Sequence, residues 1–344
     1  MNLAESNLTL TISQHVEVED WDTKVAEVRG HVFHTHAWAM FKCHGRKAQP
    51  LFCEWFESDS GEPVAVAVGT RIPRPDTLVG RIFSRVGLDS SPATLIDGHN
   101  FGSALEAWAV KDRSVVELQL GSFDADPAWH AAIPSPMERL EFILDLEHGG
   151  EVLERFRKNT RYTIRRAMRS GLHVRRGESM EDLRIFASLY RENLKRLQHT
   201  KGVASMPQSD VAGFATALSV LCDSARGRLF LCEQGGHPLA GCFFGVFNGS
   251  AYYLFSGTSD AGRQDGAMHL SLYTALEALG DDQVTRVNLG GVPANAVDPQ
   301  SPDHGLYRFK IGFGTETALR QSQTIITGRN RARALALARG VLRR

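Results

Sequence analysis

Hydrophobic and polar positions alternate in two different ways along this chain. Up to about Gly150 the apolar residues form short extended runs rich in β-branched and aromatic side chains. These are PLFCEWFE from Pro50, PVAVAVGT from Pro63, SVVELQL from Ser114 and LEFILDL from Leu140, each predicting a strand. FGSALEAWAVK from Phe101 has helical spacing. Beyond Gly150 the spacing predicts helices over 151–170 and 180–198, joined by the strand candidate LHVRR behind Gly171, which stands where a helix C′ glycine belongs. A helix over 209–224 follows. Then come three strands, RLFLCEQ from Arg228, PLAGCFFGVF from Pro238 and SAYYLFSG from Ser250, divided by the turn pairs Gly235-Gly236 and Asn248-Gly249. Those turns predict an antiparallel meander. A helix over 267–279, the strand RVNLGG from Arg286, a Pro-rich loop, a short helix in LYRFKIGFG from Leu306 and a last strand complete the pattern. The order is mixed α+β and lacks βαβ alternation. No G-x-G-x-x-G follows a strand and no G-x-x-x-x-G-K-[ST] occurs, which argues against a nucleotide-dependent kinase, ATPase or dehydrogenase.

A length of 344 residues exceeds what one core comfortably holds, so two domains are expected. Charge suggests where they divide. The chain carries 39 basic and 39 acidic residues, yet 12 basic against 22 acidic stand up to Gly150, leaving 27 against 17 after it. A step at Gly149-Gly150 predicts a first domain over 1–149, a second over 150–328 and a basic tail over 329–344. No apolar run approaches a membrane span, and the N-terminus has neither a basic start nor an apolar stretch, so a cytoplasmic location is expected. The five cysteines form no C-x-x-C pair and read as buried free thiols. His31, His34, His36 and His44 cluster without zinc-ligand spacing, so no metal is expected. With G-x-S-x-G absent, a serine-hydrolase triad has no support.

Three segments carry candidate chemistry. Arg157, Arg161, Arg165 and Arg169 recur every fourth residue with Lys158 and Arg166 beside them. They form either a solvated amphipathic face or a phosphate-facing stripe, since guanidinium forks match phosphate oxygens. RNRARALALARGVLRR at the C-terminus holds six Arg and no acid, a frayed tail or a helix for a membrane surface or nucleic acid. In VNLGGVPANAVDPQSPDHGLYRFKIGFGTE, Gly290 and Gly291 directly after a strand let backbone N–H groups approach a ligand, and the loop leads to Tyr307, Arg308, Phe309 and Lys310. Lys310 reads as an electrophile for a developing oxyanion, or as a surface lysine snorkelling beside core Phe309 and Phe313.

Four segments together resemble the FemABX family of peptidoglycan-bridge aminoacyltransferases. FHTHAWAMFKCHG from Phe33, with Trp38 and Lys42, is similar to the family's early aromatic-Gln-Ser-x-x-W-x-x-x-K stretch. FRKNTRYTIRRAMRSGLHV, LAGCFFGVFNGSAYYLFSGTS with Tyr253, and NLGGV followed by GLYRFKIGFG are similar to its later signatures. The resemblance implies two GNAT-like domains with a cleft between them, each a mixed, mostly antiparallel sheet with flanking helices. It implies an activated acyl group passed to an amine, with aminoacyl-tRNA as donor and a UDP-MurNAc-peptide or lipid-linked precursor as acceptor. On it, Lys310 holds the tetrahedral oxyanion with Phe309 beside it, and Lys42 binds precursor phosphate. Arg196 reaches the acceptor, and Trp38, Tyr253, Gly290, Gly291 and Tyr307 line the substrate site. LQHTKGVASMP departs from the family near Arg196, and the coiled-coil arm of some members is missing. A CoA-binding GNAT loop of the form [QR]-x-x-G-x-[GA] is met at Arg263 and Gly266 and fails at Met268, so no cofactor is expected, and the basic stripe, Arg157, Lys158, Arg161 and Arg165, is assigned to nucleic-acid phosphates. An acyl-CoA or acyl-carrier donor in exopolysaccharide or lipid biosynthesis is the alternative, and an RNA-binding protein without catalysis a further one.

Overall fold

The computed structural model describes residues 8–57, 61–73, 83–96, 101–124, 137–146, 152–201 and 210–327. The basic tail, the charge step at Gly149-Gly150 and most of the departing segment after Lys201 lie outside the described residues. In chain order the first elements are β1 (Leu8–Ser13), α1 (Val18–Glu27), α2 (His36–Cys43), β2 (Gln49–Glu57), β3 (Ala65–Pro73), β4 (Ser84–Ser90), β5 (Ala93–Thr94), α3 (Phe101–Lys111), β6 (Val115–Phe123) and β7 (Met137–Asp145). Then follow α4 (Lys158–Arg169), β8 (His173–Gly177), α5 (Met180–Lys201), α6 (Val211–Asp223), β9 (Gly227–Gln234), β10 (His237–Phe247), β11 (Ser250–Thr258), α7 (Asp260–Asp265), α8 (Ala267–Asp281), β12 (Arg286–Pro293), α9 (His304–Ile311) and β13 (Glu316–Ile325).

The chain separates into two compact units, Met1–Arg139 with Arg320–Arg344, and Leu140–Leu319. This is not the division at 149/150 and 328/329 that the charge step suggests. Counted over the units, basic and acidic residues stand at 19 and 19 in the first and 20 and 20 in the second. The step along the chain thus does not coincide with the division into units, because residues 320–344, with seven arginines and no acid, count with the first.

In the first unit β1, β2, β3 and β4 run antiparallel, β4 pairs with β6 in parallel, and β13 closes against β6 antiparallel, with β5 on β3. Its core gathers Trp55, Leu51, Leu105, Leu118 and Leu120. In the second unit β8, β9, β10 and β11 run antiparallel, β11 pairs with β12 in parallel, and β7 lies beyond β12. Phe142, Ile164, Phe244, Leu272, Leu276 and Phe313 form its core, and each such buried side chain contributes roughly 1.5–3 kcal/mol. The α+β class and the two GNAT-like halves expected from the sequence are both present.

Local chemistry sets the helix ends. Ser179 and Asp182 bond reciprocally at the start of α5: the Asp182 N–H donates to Ser179 Oγ, and the Ser179 N–H to Asp182 Oδ2, each at 3.1 Å. Arg175 adds contacts to Asp182 at 2.6 Å and Glu233 at 2.8 Å. The helix expected from residue 151 starts instead at Lys158. Residues Val152–Arg155 make a 3-10 turn, and Arg157 is extended with φ −63° and ψ 150°, its N–H donating to Gly312 O at 2.8 Å. The break lets Phe156 turn into the core, 5.1 Å from the Phe313 ring.

The histidine cluster is structural. His34 is buried and takes the His31 N–H on Nδ1 at 3.1 Å, so its Nε2–H donates to Ser91 O at 2.8 Å. Burial pushes its pKa down to about 4. Among the described residues no group of His, Cys, Asp and Glu is placed to hold a metal ion, and no helix is long and apolar enough to cross a membrane.

Candidate active site

The second unit opens where its parallel strands part. β11 and β12 pair for three residues, Ser250–Tyr252 against Arg286–Asn288. Gly290 then takes φ +73°, which favours glycine, and a Cβ there would stand 3.4 Å from Lys310 Nζ and 3.6 Å from Tyr253 O. The Gly290 N–H donates to Asn288 Oδ1 at 2.7 Å, and Asn288 Nδ2 donates to Glu141 Oε2 at 2.9 Å, with both side chains fully buried.

Gly290 and Gly291 lie within β12 and not after a strand as the sequence suggests, and against them α9 delivers Lys310. The side chain is 6 % exposed, its ammonium donates to Gly291 O at 3.3 Å, and it lies 5.8 Å from the Phe142 ring centre. A snorkelling surface lysine is therefore excluded. The neighbours on α9 serve the wall: Tyr307 packs 5.8 Å from Phe142, and Phe309 meets the rings of His269 and Phe313 at 4.9 and 5.3 Å. Burial, reinforced by the charge of Arg166, pushes His269 down to about 4, so its imidazole is neutral at pH 7.

Gly266 is left-handed at φ +76° and begins α8. Met268, at the loop position where a CoA site needs a small residue, turns its Sδ to 3.4 Å from the Tyr253 hydroxyl. Burial pushes the Tyr253 phenol well above its ordinary range.

The remaining expected residues fall into separate groups. Arg161 and Arg165 reach Glu154 at 3.5 and 2.9 Å, and Arg166 donates to Gln264 O at 2.7 Å. Arg157 precedes the helix, so the stripe on α4 is shorter than the spacing implies, and Arg157 and Lys158 are exposed. Arg196 donates to Asn193 Oδ1 at 2.7 Å, and Asn193 reaches Ser256 O at 3.4 Å. Burial, with the charge of Arg196 nearby, holds Arg263 below the ordinary guanidinium range.

Trp38 and Lys42 lie in the first unit, on α2. Trp38 Nε1 and Lys42 Nζ both donate to Asp89 at 2.9 Å, and the ammonium stands 5.6 Å from the Trp38 ring centre. The cluster borders a cavity of about 520 Å³ lined by Lys42, Arg46, Arg85, Asp89, Gln119 and Gln323 among others. Gly121 is required beside it, because a Cβ there would meet the Asp89 carbonyl oxygen at 2.2 Å.

Sequence reasoning missed Asp89, Arg85, His269, Glu141 and Asn288. Glu141 left a trace as an acid inside the apolar run LEFILDL, and Asn288 stands within the VNLGG segment.

Residues 154–310 match the family described as the acetyltransferase (GNAT) domain. That stretch is a GNAT-type acetyltransferase domain, and the likeness of the chain to FemX is one of fold. The domain match supports an N-acyltransferase, and the fold is similar to that of several solved structures. FemX matches with a TM-score of 0.66 at 16 % identity, covering 90 % of this chain and 96 % of that one. The C-terminal domain of a putative lysylphosphatidylglycerol synthetase from Agrobacterium fabrum matches at 0.55 with 15 % identity, covering 93 % and 96 %. A tandem GNAT protein from the clavulanic acid biosynthesis pathway matches at 0.56 with 11 % identity, covering 94 % and 99 %. No curated protein sequence matches the chain.

Proposed function

We propose that this GNAT protein moves an amino acid from aminoacyl-tRNA to an amine of a peptidoglycan or related cell-envelope precursor, in the cytoplasm. The observation that carries the reading is Lys310, a buried ammonium fixed at the Gly290–Gly291 turn. Such a group is preorganised for charge that develops during acyl transfer. The acceptor amine attacks the ester carbonyl carbon, a C–N bond forms, and the oxyanion comes to rest against Lys310, with Phe309 walling the site. As the oxyanion collapses the acyl C–O bond breaks, and the proton lost by the amine ends on the departing ribose oxygen, so that tRNA leaves with its hydroxyl free. Positioning and oxyanion stabilisation suffice without a covalent nucleophile. Cys242 is a poor one in any case, because burial pushes its thiol far above the usual range.

Three further observations support donor and acceptor. The basic residues around the start of α4, exposed Arg157, Lys158 and Arg165 with half-buried Arg161, offer phosphate contacts for tRNA. Met268 stands at the loop position where a CoA site needs a small residue, its Sδ against the Tyr253 hydroxyl. The first-unit cavity sets Lys42, Arg46 and Arg85 against one carboxylate, Asp89, which suits a phosphate-bearing precursor. The fold likeness to FemX and to a lysylphosphatidylglycerol synthetase domain motivates the same pairing of donor and envelope acceptor.

The test is incubation with charged tRNA pools and UDP-MurNAc-pentapeptide, with transfer read by mass spectrometry. Transfer that disappears in Lys310→Ala supports the reading; no transfer with any charged tRNA overturns it. One observation favours an acyl-CoA donor instead: Gly266 keeps the left-handed start of α8 that a pyrophosphate loop uses. Saturable CoA binding by calorimetry would select that reading.

A further inference from the structure

The second unit buries a carboxyl and an amide side by side, and acyl transfer as described above uses neither. Glu141 and Asn288 are both fully buried, on β7 and β12. Burying two polar side chains in a core is costly unless their bonds are used. Their bonds lead in one direction. Glu141 Oε2 accepts from Asn288 Nδ2 at 2.9 Å, which turns the other end of the amide, Oδ1, toward the Gly290 N–H at 2.7 Å. That bond holds Gly290 in its left-handed conformation at φ +73°. The next carbonyl, Gly291 O, is the one that receives Lys310 Nζ at 3.3 Å.

We propose that Glu141 and Asn288 are positioning residues for Lys310, a relay that aims the Gly291 carbonyl at the ammonium. The inference rests on the reading of Lys310 as the oxyanion partner. The amide must present oxygen to one neighbour and NH2 to the other, so Glu141 acts as the acceptor that selects the amide orientation. Asp at position 288 keeps an acceptor for the Gly290 N–H but sets two carboxyl groups face to face, where one must hold a proton. Gln at position 141 restores a donor to that Asp, so the bond re-forms with its polarity reversed.

The experiment follows the Lys310 amine directly, by the rate of its acetylation with acetic anhydride mapped by peptide mass spectrometry, alongside kcat, KM and thermal unfolding. In Asn288→Asp the Lys310 labelling rate is expected to rise about tenfold, the scale of one lost hydrogen bond to a charged group. Its kcat should fall by about 10²-fold at unchanged KM, the effect of a misplaced catalytic group. Glu141→Gln with Asn288→Asp is expected to restore both readouts. Should Asn288→Asp not fold, Glu141→Gln alone reads the same relay: its amide oxygen still accepts from Asn288, so wild-type labelling is expected. Unchanged labelling in Asn288→Asp, a double variant no better than the single one, or altered labelling in Glu141→Gln alone would overturn the relay. If the labelling pattern appears while Lys310→Ala keeps full activity, the relay stands and the catalytic role of Lys310 fails.

Discussion

The two sheets share one connection order and differ at the same joint. In the first unit the parallel strands β4 and β6 stay paired from Ser84 to Ser90; in the second, β11 and β12 part after three pairs. Where pairing persists, the chemistry is set beside the sheet: Lys42 is partly exposed and ion-paired to Asp89 at the edge of a cavity. Where the strands part, the gap receives a buried lysine, Lys310, on backbone carbonyl and aromatic ring. An ammonium compensated by a carboxylate in contact with water contributes modestly and suits ligand holding. A buried one acts through a low dielectric and suits charge that appears during reaction. On the proposed reading, one fold used twice supplies a binding edge and a reactive gap.

The largest expected contrast is between those two lysines. Lys310→Ala should lower kcat by about 10²–10³-fold, the range for losing one oxyanion donor. Lys42→Ala should instead raise KM for a phosphate-bearing acceptor with kcat nearly unchanged, as loss of uniform binding requires. Steady-state kinetics of both variants checks the contrast, and equal effects on kcat would erase it.

Next comes acid sensitivity. The folded pKa of His34, about 4, lies below its ordinary 6.5, so the unfolded chain binds the extra proton first. The stability this group gives is complete above about pH 6.5 and is lost as pH falls toward 4, on the order of 3 kcal/mol. His269 has the same direction in the second unit but is less completely buried, so its share is smaller. Thermal unfolding between pH 7 and pH 4 of His34→Gln should show a flatter decline than the wild type.

Glycine at the joint gives a third contrast. Gly290→Ala forces a side chain into a left-handed conformation, a cost of roughly 1–2 kcal/mol, and crowds Lys310. Gly87→Ala on β4 would meet its nearest neighbour, Gln119, at 3.9 Å, and should leave stability nearly unchanged in denaturant titrations. The smallest effect belongs to α4. Glu154→Gln removes the carboxylate partner of half-buried Arg161 and exposed Arg165, and should shift stability by less than about 1 kcal/mol. Neutralising Arg161 and Arg165 together should reduce the salt slope of RNA binding measured by fluorescence anisotropy.

Much of the second unit was legible along the chain. The turns Gly235-Gly236 and Asn248-Gly249 mark the meander because their residues adopt positive φ, and NLGGV with LYRFKIG marks the joint that holds Lys310. The first unit was harder to read. β1, β4, α1 and α2 carry few uninterrupted apolar runs; β4 alternates buried and half-buried residues in SRVGLDS, a pattern too polar to stand out. Asp89 and Glu141 were invisible as partners because a carboxylate's role depends on which distant donor it meets, Lys42 across 47 positions and Asn288 across 147.

By itself the sequence determined the α+β class, the meander, the glycine pair of VNLGG and the lysine that follows it, because turn chemistry and side-chain period act over a few residues. Only the tertiary structure decided that Lys310 is buried, that Lys42 is paired, and that the charge step does not divide the units. The C-terminal strand β13 returns to the first sheet, so the division into units does not follow the order of the chain. Local patterns reach along the backbone; pairing of charges and closing of sheets reach across it.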